Sequence, residues 1–120
     1  MRQYDAFCEV FGYTAKNKVV AEVITMGGLD FSVGEMAEEA RVSKPKTYEI
    51  IARLEKKGIV KKTRVIGKTQ LYKFNKENPI SKVLYKSLMA CLDMVADEFS
   101  EKKSPHTSNA GVGVAMAKGN

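Results

Sequence analysis

Tryptophan is missing from this 120-residue chain, which has one histidine, three prolines and two cysteines. Each scarcity excludes something. Cys8 and Cys91 are far apart and match no metal-ligand or redox spacing, so they read as reduced, half-buried thiols of an intracellular protein. His106 stands in a Gly-rich C-terminal stretch with no partner that would make it a base or a ligand. There is no Gly-rich phosphate loop, no paired-carboxylate pattern, and no Cys or Ser with a structured histidine, so no catalytic activity, metal or cofactor is expected. No apolar run approaches the roughly 18 residues of a membrane span. The opening MRQYDAFCEVFGYT carries acids among its apolar residues, unlike a signal peptide. A cytoplasmic protein away from membranes is the expectation. Aromatic residues are only 8% of the chain, too few to suggest a stacking platform for single-stranded nucleic acid.

Acidic residues are scarce in one place. From Arg41 to Lys76 there are twelve basic residues and only two acids, Glu49 and Glu55, a net of +10. The remainder has eight basic and twelve acidic residues, a net of −4, which leaves the whole chain at +6 with a pI near 9.3. Solubility explains a net charge but not its segregation. A block of one sign focuses a field and suits a polyanionic partner.

The hydrophobic spacing supplies the elements of one compact domain. Tyr4, Phe7, Cys8 and Phe11 recur at helical intervals and predict a short helix over 3–11, closed by Gly12. Thr14 is a fitting N-cap for a second helix, whose stripe is Val19, Val20, Val23 and Ile24 and whose stop is Gly27-Gly28. Leu29-Asp30-Phe31 reads as a short extended piece. Ser32-Val33-Gly34-Glu35 is a capping box, with Phe31 and Met36 placed for a hydrophobic staple. The third helix ends near Ala40, and Arg41-Val42 turns tightly into the fourth, 43–57. Ser43 caps that helix, Pro45 is tolerated in its first turn, and Gly58 follows its end. Beyond Gly58 the period falls to two. Ile59–Ile66 and Thr69–Asn75 form a hairpin around Gly67-Lys68, with Tyr72 and Phe74 on the inner face. Asn78-Pro79 opens a long helix to about Phe99, and residues 101–120 read as a mobile tail.

The fourth helix carries an anomaly. Lys44 and Lys46 stand in its first turn, where the helix dipole already presents positive charge and each cation costs a few tenths of a kcal/mol, up to about 1. Two helices joined by a tight turn, the second longer and basic, form a helix-turn-helix, and the hairpin adds a wing. SVGEMAEEARVSKPKTYEIIARLEKKGIVKK resembles the winged helix-turn-helix of prokaryotic transcription regulators. KTYEIIARLEKKGIV is most similar to the N-terminal domain of archaeal TrmB-type regulators, and next to the MarR type. The resemblance covers about residues 14–76. It departs in two respects: the large effector domain that usually follows in TrmB-type proteins has no counterpart here, and residues 32–40 lack the cysteines of ArsR-type metal sensors.

The expectation is therefore an α+β, mostly α fold. A winged helix-turn-helix domain would span 1–78, with its core at 14–76, followed by a dimerisation helix at 79–100 and the tail at 101–120. The expected function is sequence-specific binding of double-stranded DNA to regulate transcription, with helix 43–57 in the major groove. With Thr47, Ile50, Ile51 and Leu54 turned inward, Lys44, Pro45, Lys46, Tyr48, Glu49, Ala52 and Arg53 are left for the groove side, and all but Ala52 are taken as DNA-binding residues together with the N-cap Ser43. Lys44 and Lys46 can donate to phosphate or to guanine. Tyr48 serves equally well as a DNA contact or a half-buried core residue. Glu49 either accepts from cytosine or orients a basic neighbour, with Arg53 as its i, i+4 partner. In the wing at 60–75, Lys62, Arg64 and Lys68 would reach flanking DNA, and Ser32 at the short helix would bind one further phosphate. On the last helix, Leu84, Leu88, Cys91 and Val95 repeat at heptad-like intervals, broadened by Tyr85, Leu92 and Phe99. They are expected at a homodimer interface. Nothing in the sequence names a small-molecule effector. A winged helix used for protein contacts, or for non-specific architectural DNA binding, is the alternative.

Overall fold

The computed structural model describes residues 3–103, with side chains from Tyr4 to Asp97. Residues 101–103, expected to open the tail, continue α5 instead, and the rest of the expected tail, 104–120 with His106, lies outside the described residues. The fold is α+β and mostly helical: α1 (Gln3–Phe11), α2 (Ala15–Met26), β1 (Phe31–Ser32), α3 (Val33–Ala40), α4 (Lys44–Lys56), β2 (Val60–Ile66), β3 (Thr69–Phe74) and α5 (Pro79–Lys103). No helix among the described residues is long and apolar enough to cross a membrane.

Local chemistry sets the boundaries. Thr14 Oγ1 accepts from the Asn17 N–H at 3.1 Å and starts α2. At α3 both halves of the capping box form: Ser32 Oγ accepts from the Glu35 N–H, and Glu35 Oε1 accepts from the Ser32 N–H at 2.9 Å. Phe31 and Met36, which flank that cap, are both buried. The turn between α3 and α4 is made by Arg41 in the left-handed conformation, φ 59° and ψ 47°, the only non-glycine residue with positive φ among those described. Val42 then packs against the core. At α4, Ser43 Oγ accepts from the Lys46 N–H. The helix ends in a Schellman motif: the Ile59 N–H reaches the Leu54 carbonyl and the Gly58 N–H the Glu55 carbonyl, both at 2.9 Å.

The sheet is antiparallel, in the order β1-β3-β2. Ile66 pairs with Thr69, so Gly67 and Lys68 alone make the turn, and Gly67 takes the positive φ. A two-residue turn with its glycine first matches the twist of the strands. The register slips between Lys62 and Val65, so residues 63–64 bulge out of the ladder. The short extended piece comes two residues later than expected, at Phe31–Ser32, because β3 offers its free edge to those residues: Phe31 pairs with Tyr72 and Ser32 with Leu71.

The core joins Phe7 and Cys8 of α1, the α2 stripe, Phe31, Met36, the inward set of α4, and Val60 and Phe74 of the hairpin. Thr47, Ile50, Ile51 and Leu54 are all buried, as the spacing predicts; each large apolar side chain among them contributes about 1.5–3 kcal/mol. Phe11 departs from the expected stripe. It is 54% exposed and packs against Phe7 with ring centroids 4.8 Å apart and ring planes tilted by 40°.

Helix α5 corrects the largest expectation. Leu88 and Cys91 are buried in the chain's own core, and Leu84, Leu92 and Val95 pack against it. Leu88 and Cys91, fully buried, have no surface left for a second copy, whereas Leu84, Leu92 and Val95 are half-buried. Helix α1 is too short to close the core alone, and α5 completes it by lying across α1 and α2. Of the seven interface residues the spacing suggests, only Tyr85 is largely exposed, and the Phe99 side chain lies outside the described residues.

Candidate nucleic-acid interface

The first turn of α4 is open to solvent. Lys44, Pro45, Lys46, Tyr48, Glu49, Ala52 and Arg53 are all exposed, the full outward set that the buried set implies. Tyr48, for which the sequence left two roles open, is 54% exposed.

The lysines at this helix end differ in surroundings. Lys46 Nζ lies 3.5 Å from Glu49 Oε1, and Arg53 donates to Glu49 Oε2 at 3.1 Å. Glu49 thus sits between two cations on adjacent turns and orients both. Such exposed pairs are worth only a few tenths of a kcal/mol, so polyanionic oxygens can displace Glu49 from either partner. Lys44 forms no carboxylate pair among the described residues. Its side chain runs toward the start of α3, where Gly34 leaves room: a Cβ there would lie 3.8 Å from Lys44 Cε.

That placement builds a concavity. Ser32, Val33 and Gly34 from the start of α3, Lys44 and Tyr48 from α4, and Lys68, Thr69, Gln70 and Tyr72 from the hairpin line one hollow of about 260 Å³. Four residues singled out in the sequence, Ser32, Lys44, Tyr48 and Lys68, come together here from three elements. Two lysines, Lys44 and Lys68, and the hydroxyl-bearing side chains of Ser32, Tyr48, Thr69 and Tyr72 share its lining with the first turn of α3. A phosphate-sized anion would meet helix N–H groups and cations together.

The hairpin is less free than its composition suggests. Arg64 donates through Nε to Asp30 Oδ2 at 2.9 Å, and Thr63 Oγ1 donates to the same oxygen at 3.1 Å. The hydrogen bond from Arg64 holds the Asp30 carboxyl below its ordinary range, against some desolvation and with help from Thr63. The bulge at 63–64 aims these two side chains at Asp30, so Arg64 is a tethered cation with one exposed face. Lys62 stands 3.9 Å from Glu55. Lys61 lies directly opposite Lys73 in the ladder, a like-charge pairing that costs the isolated sheet some tenths of a kcal/mol.

Compared with protein-family models, curated proteins and solved structures, the chain matches none of them. The site therefore rests on its own geometry.

Two contributors escaped the sequence reading. Lys16, in the first turn of α2, lines a crevice with Lys46, Arg53 and Lys57 and extends the cationic surface beyond α4. The signal was present, since Lys16 is a first-turn cation like Lys44. Asp30 also escaped; its role depends on the bulge, which no local pattern announces. Among the described residues no cluster of His, Cys, Asp and Glu could hold a metal ion. Both cysteines are buried, and burial raises both thiol pKa values.

Proposed function

We propose that this chain is a winged-helix protein, similar to TrmB-type and MarR-type regulators, that binds duplex DNA as a homodimer and regulates transcription. The observation that carries this reading is the shared hollow of Ser32, Gly34, Lys44, Tyr48 and Lys68. It gives Lys44 a role, while Lys46 stands outside it beside Lys16 and Glu49. The cost of the two first-turn lysines to α4 is repaid when the helix end meets phosphates or guanine edges in the major groove. Lys46 and Arg53, released from Glu49, would add contacts along the helix, with Lys16 beside them. Lys62 and the exposed face of Arg64 would meet flanking phosphates. Ser32 and the α3 backbone would hold one more.

Selection of bound duplexes from a random DNA pool at about 150 mM salt, near physiological, tests the reading. The expected product is a two-fold-symmetric motif with half-sites one helical turn, ~34–36 Å, apart. Recovery without an enriched motif would mean an architectural protein. Failure to recover DNA would remove the proposal.

A protein-contact role has one specific observation in its favour. Val65 and Ile66, next to the hairpin turn, are 59% and 54% exposed. A partner bound there would associate with little dependence on salt, whereas DNA binding falls steeply with it.

A further inference from the structure

Once Leu88 and Cys91 are buried, α5 still carries a second apolar line. Ile80, Val83, Ser87, Ala90 and Met94 follow one another at intervals of 3, 4, 3 and 4. Ile80, Val83, Ala90 and Met94 are exposed and Ser87 is half-buried. This line runs beside the edge of the buried face, so it remains open after α5 has docked. A spacing of 3.5 residues sustained over two heptads is the period at which one helix keeps a seam against another helix.

We propose that this line is where a second copy of the chain docks, with the two α5 helices antiparallel about a two-fold axis near residues 88 and 89. The inference rests on the dimeric reading above and gives it a face and a register. In an antiparallel pairing the two core positions of the heptad oppose each other. Val83 then meets Met94 of the second copy, and Ser87 meets Ala90. The bulky layers lie at the ends and the small ones at the centre, which lets the helices approach closely.

Charge fixes the orientation. Lys86 and Asp93 occupy the same flanking heptad position, both are exposed, and neither has an ion-pair partner among the described residues. The register that pairs Val83 with Met94 sets Lys86 of each copy against Asp93 of the other, twice by symmetry. A parallel alignment would set Lys86 opposite Cys91 and form no Lys–Asp contact. The apolar layers and the charge pairs therefore call independently for the same register.

Sedimentation equilibrium of the full chain without DNA, combined with charge exchange, tests this. The wild type should sediment as a dimer. Lys86→Asp alone and Asp93→Lys alone should each weaken dimerisation at least about fivefold, since each sets like charges together twice. The K86D/D93K double variant should return to the wild-type constant. Val83→Asp should give a folded monomer, with circular dichroism confirming the fold. A monomeric wild type, a dimeric V83D, or a double variant no better than either single would overturn the proposal. As no DNA is present, any of these outcomes leaves the DNA-binding reading to be judged by the duplex selection alone.

Discussion

Arg64 Nε lies 2.9 Å from Asp30 Oδ2, which ties the bulged strand of the hairpin to the segment that leads into β1. The contact spans 34 residues and also involves Thr63. It joins the hairpin, which carries Lys68, to the segment that leads into Ser32 and α3.

The pH dependence of this link has a definite sign. The folded state lowers the Asp30 pKa, chiefly through the hydrogen bond from Arg64. Its stabilisation is therefore fully present above the ordinary carboxyl value of about 3.9. It is lost as pH falls through the lowered folded value. Asp30→Asn should be less stable than the wild type at pH 7, and the difference should close as the pH drops below the ordinary carboxyl range. Urea titrations across that range check this.

Gly58 closes α4 with φ +79°, and a Cβ there would stand 2.7 Å from Asn78 Nδ2. Asn78 itself joins two helix ends: Oδ1 accepts from the Ile80 N–H at 2.8 Å to cap α5, while Nδ2 donates to the Lys57 carbonyl. Gly58→Ala should thus combine left-handed strain with a displaced cap, destabilising the fold by about 2 kcal/mol. Equilibrium unfolding in urea measures it.

Arg41 occupies a left-handed turn position where glycine is the usual residue. Its side chain is exposed at the entry to α4. Arg41→Gly should raise stability by up to about 1 kcal/mol and at the same time lower DNA affinity by removing a cation beside Lys44. Thermal unfolding and a binding titration on the same preparation should move in opposite directions.

Much of the fold was legible because its boundaries are local. Thr14, the Ser32–Glu35 box, Ser43 and Gly58 act within a turn of their own positions, and the inward set of α4 follows from its period. The face of α5 was not legible. Two apolar lines run along that helix, and periodicity ranks them by hydrophobicity without saying which one the short α1 needs. The more apolar line, through Leu88 and Cys91, went to the core and left the weaker one outside. In the site, Lys44 and Lys46 could be found because they oppose the dipole of their own helix. The ties of Glu49 to Lys46 and Arg53 follow from helical spacing, whereas the tie of Arg64 to Asp30 depends on a bulge and a distant loop.

The most direct measurement is duplex affinity as a function of salt for the wild type and for K44A, K46A and the double variant. The account predicts a steep negative slope of log K against log[salt], about 0.9 per phosphate neutralised. K44A should weaken binding by about 1–3 kcal/mol and flatten the slope by roughly one. K46A should do less, because Lys46 must first leave Glu49. An affinity and a slope unchanged in the double variant, with the fold intact, would contradict the account and leave the two first-turn lysines without a function.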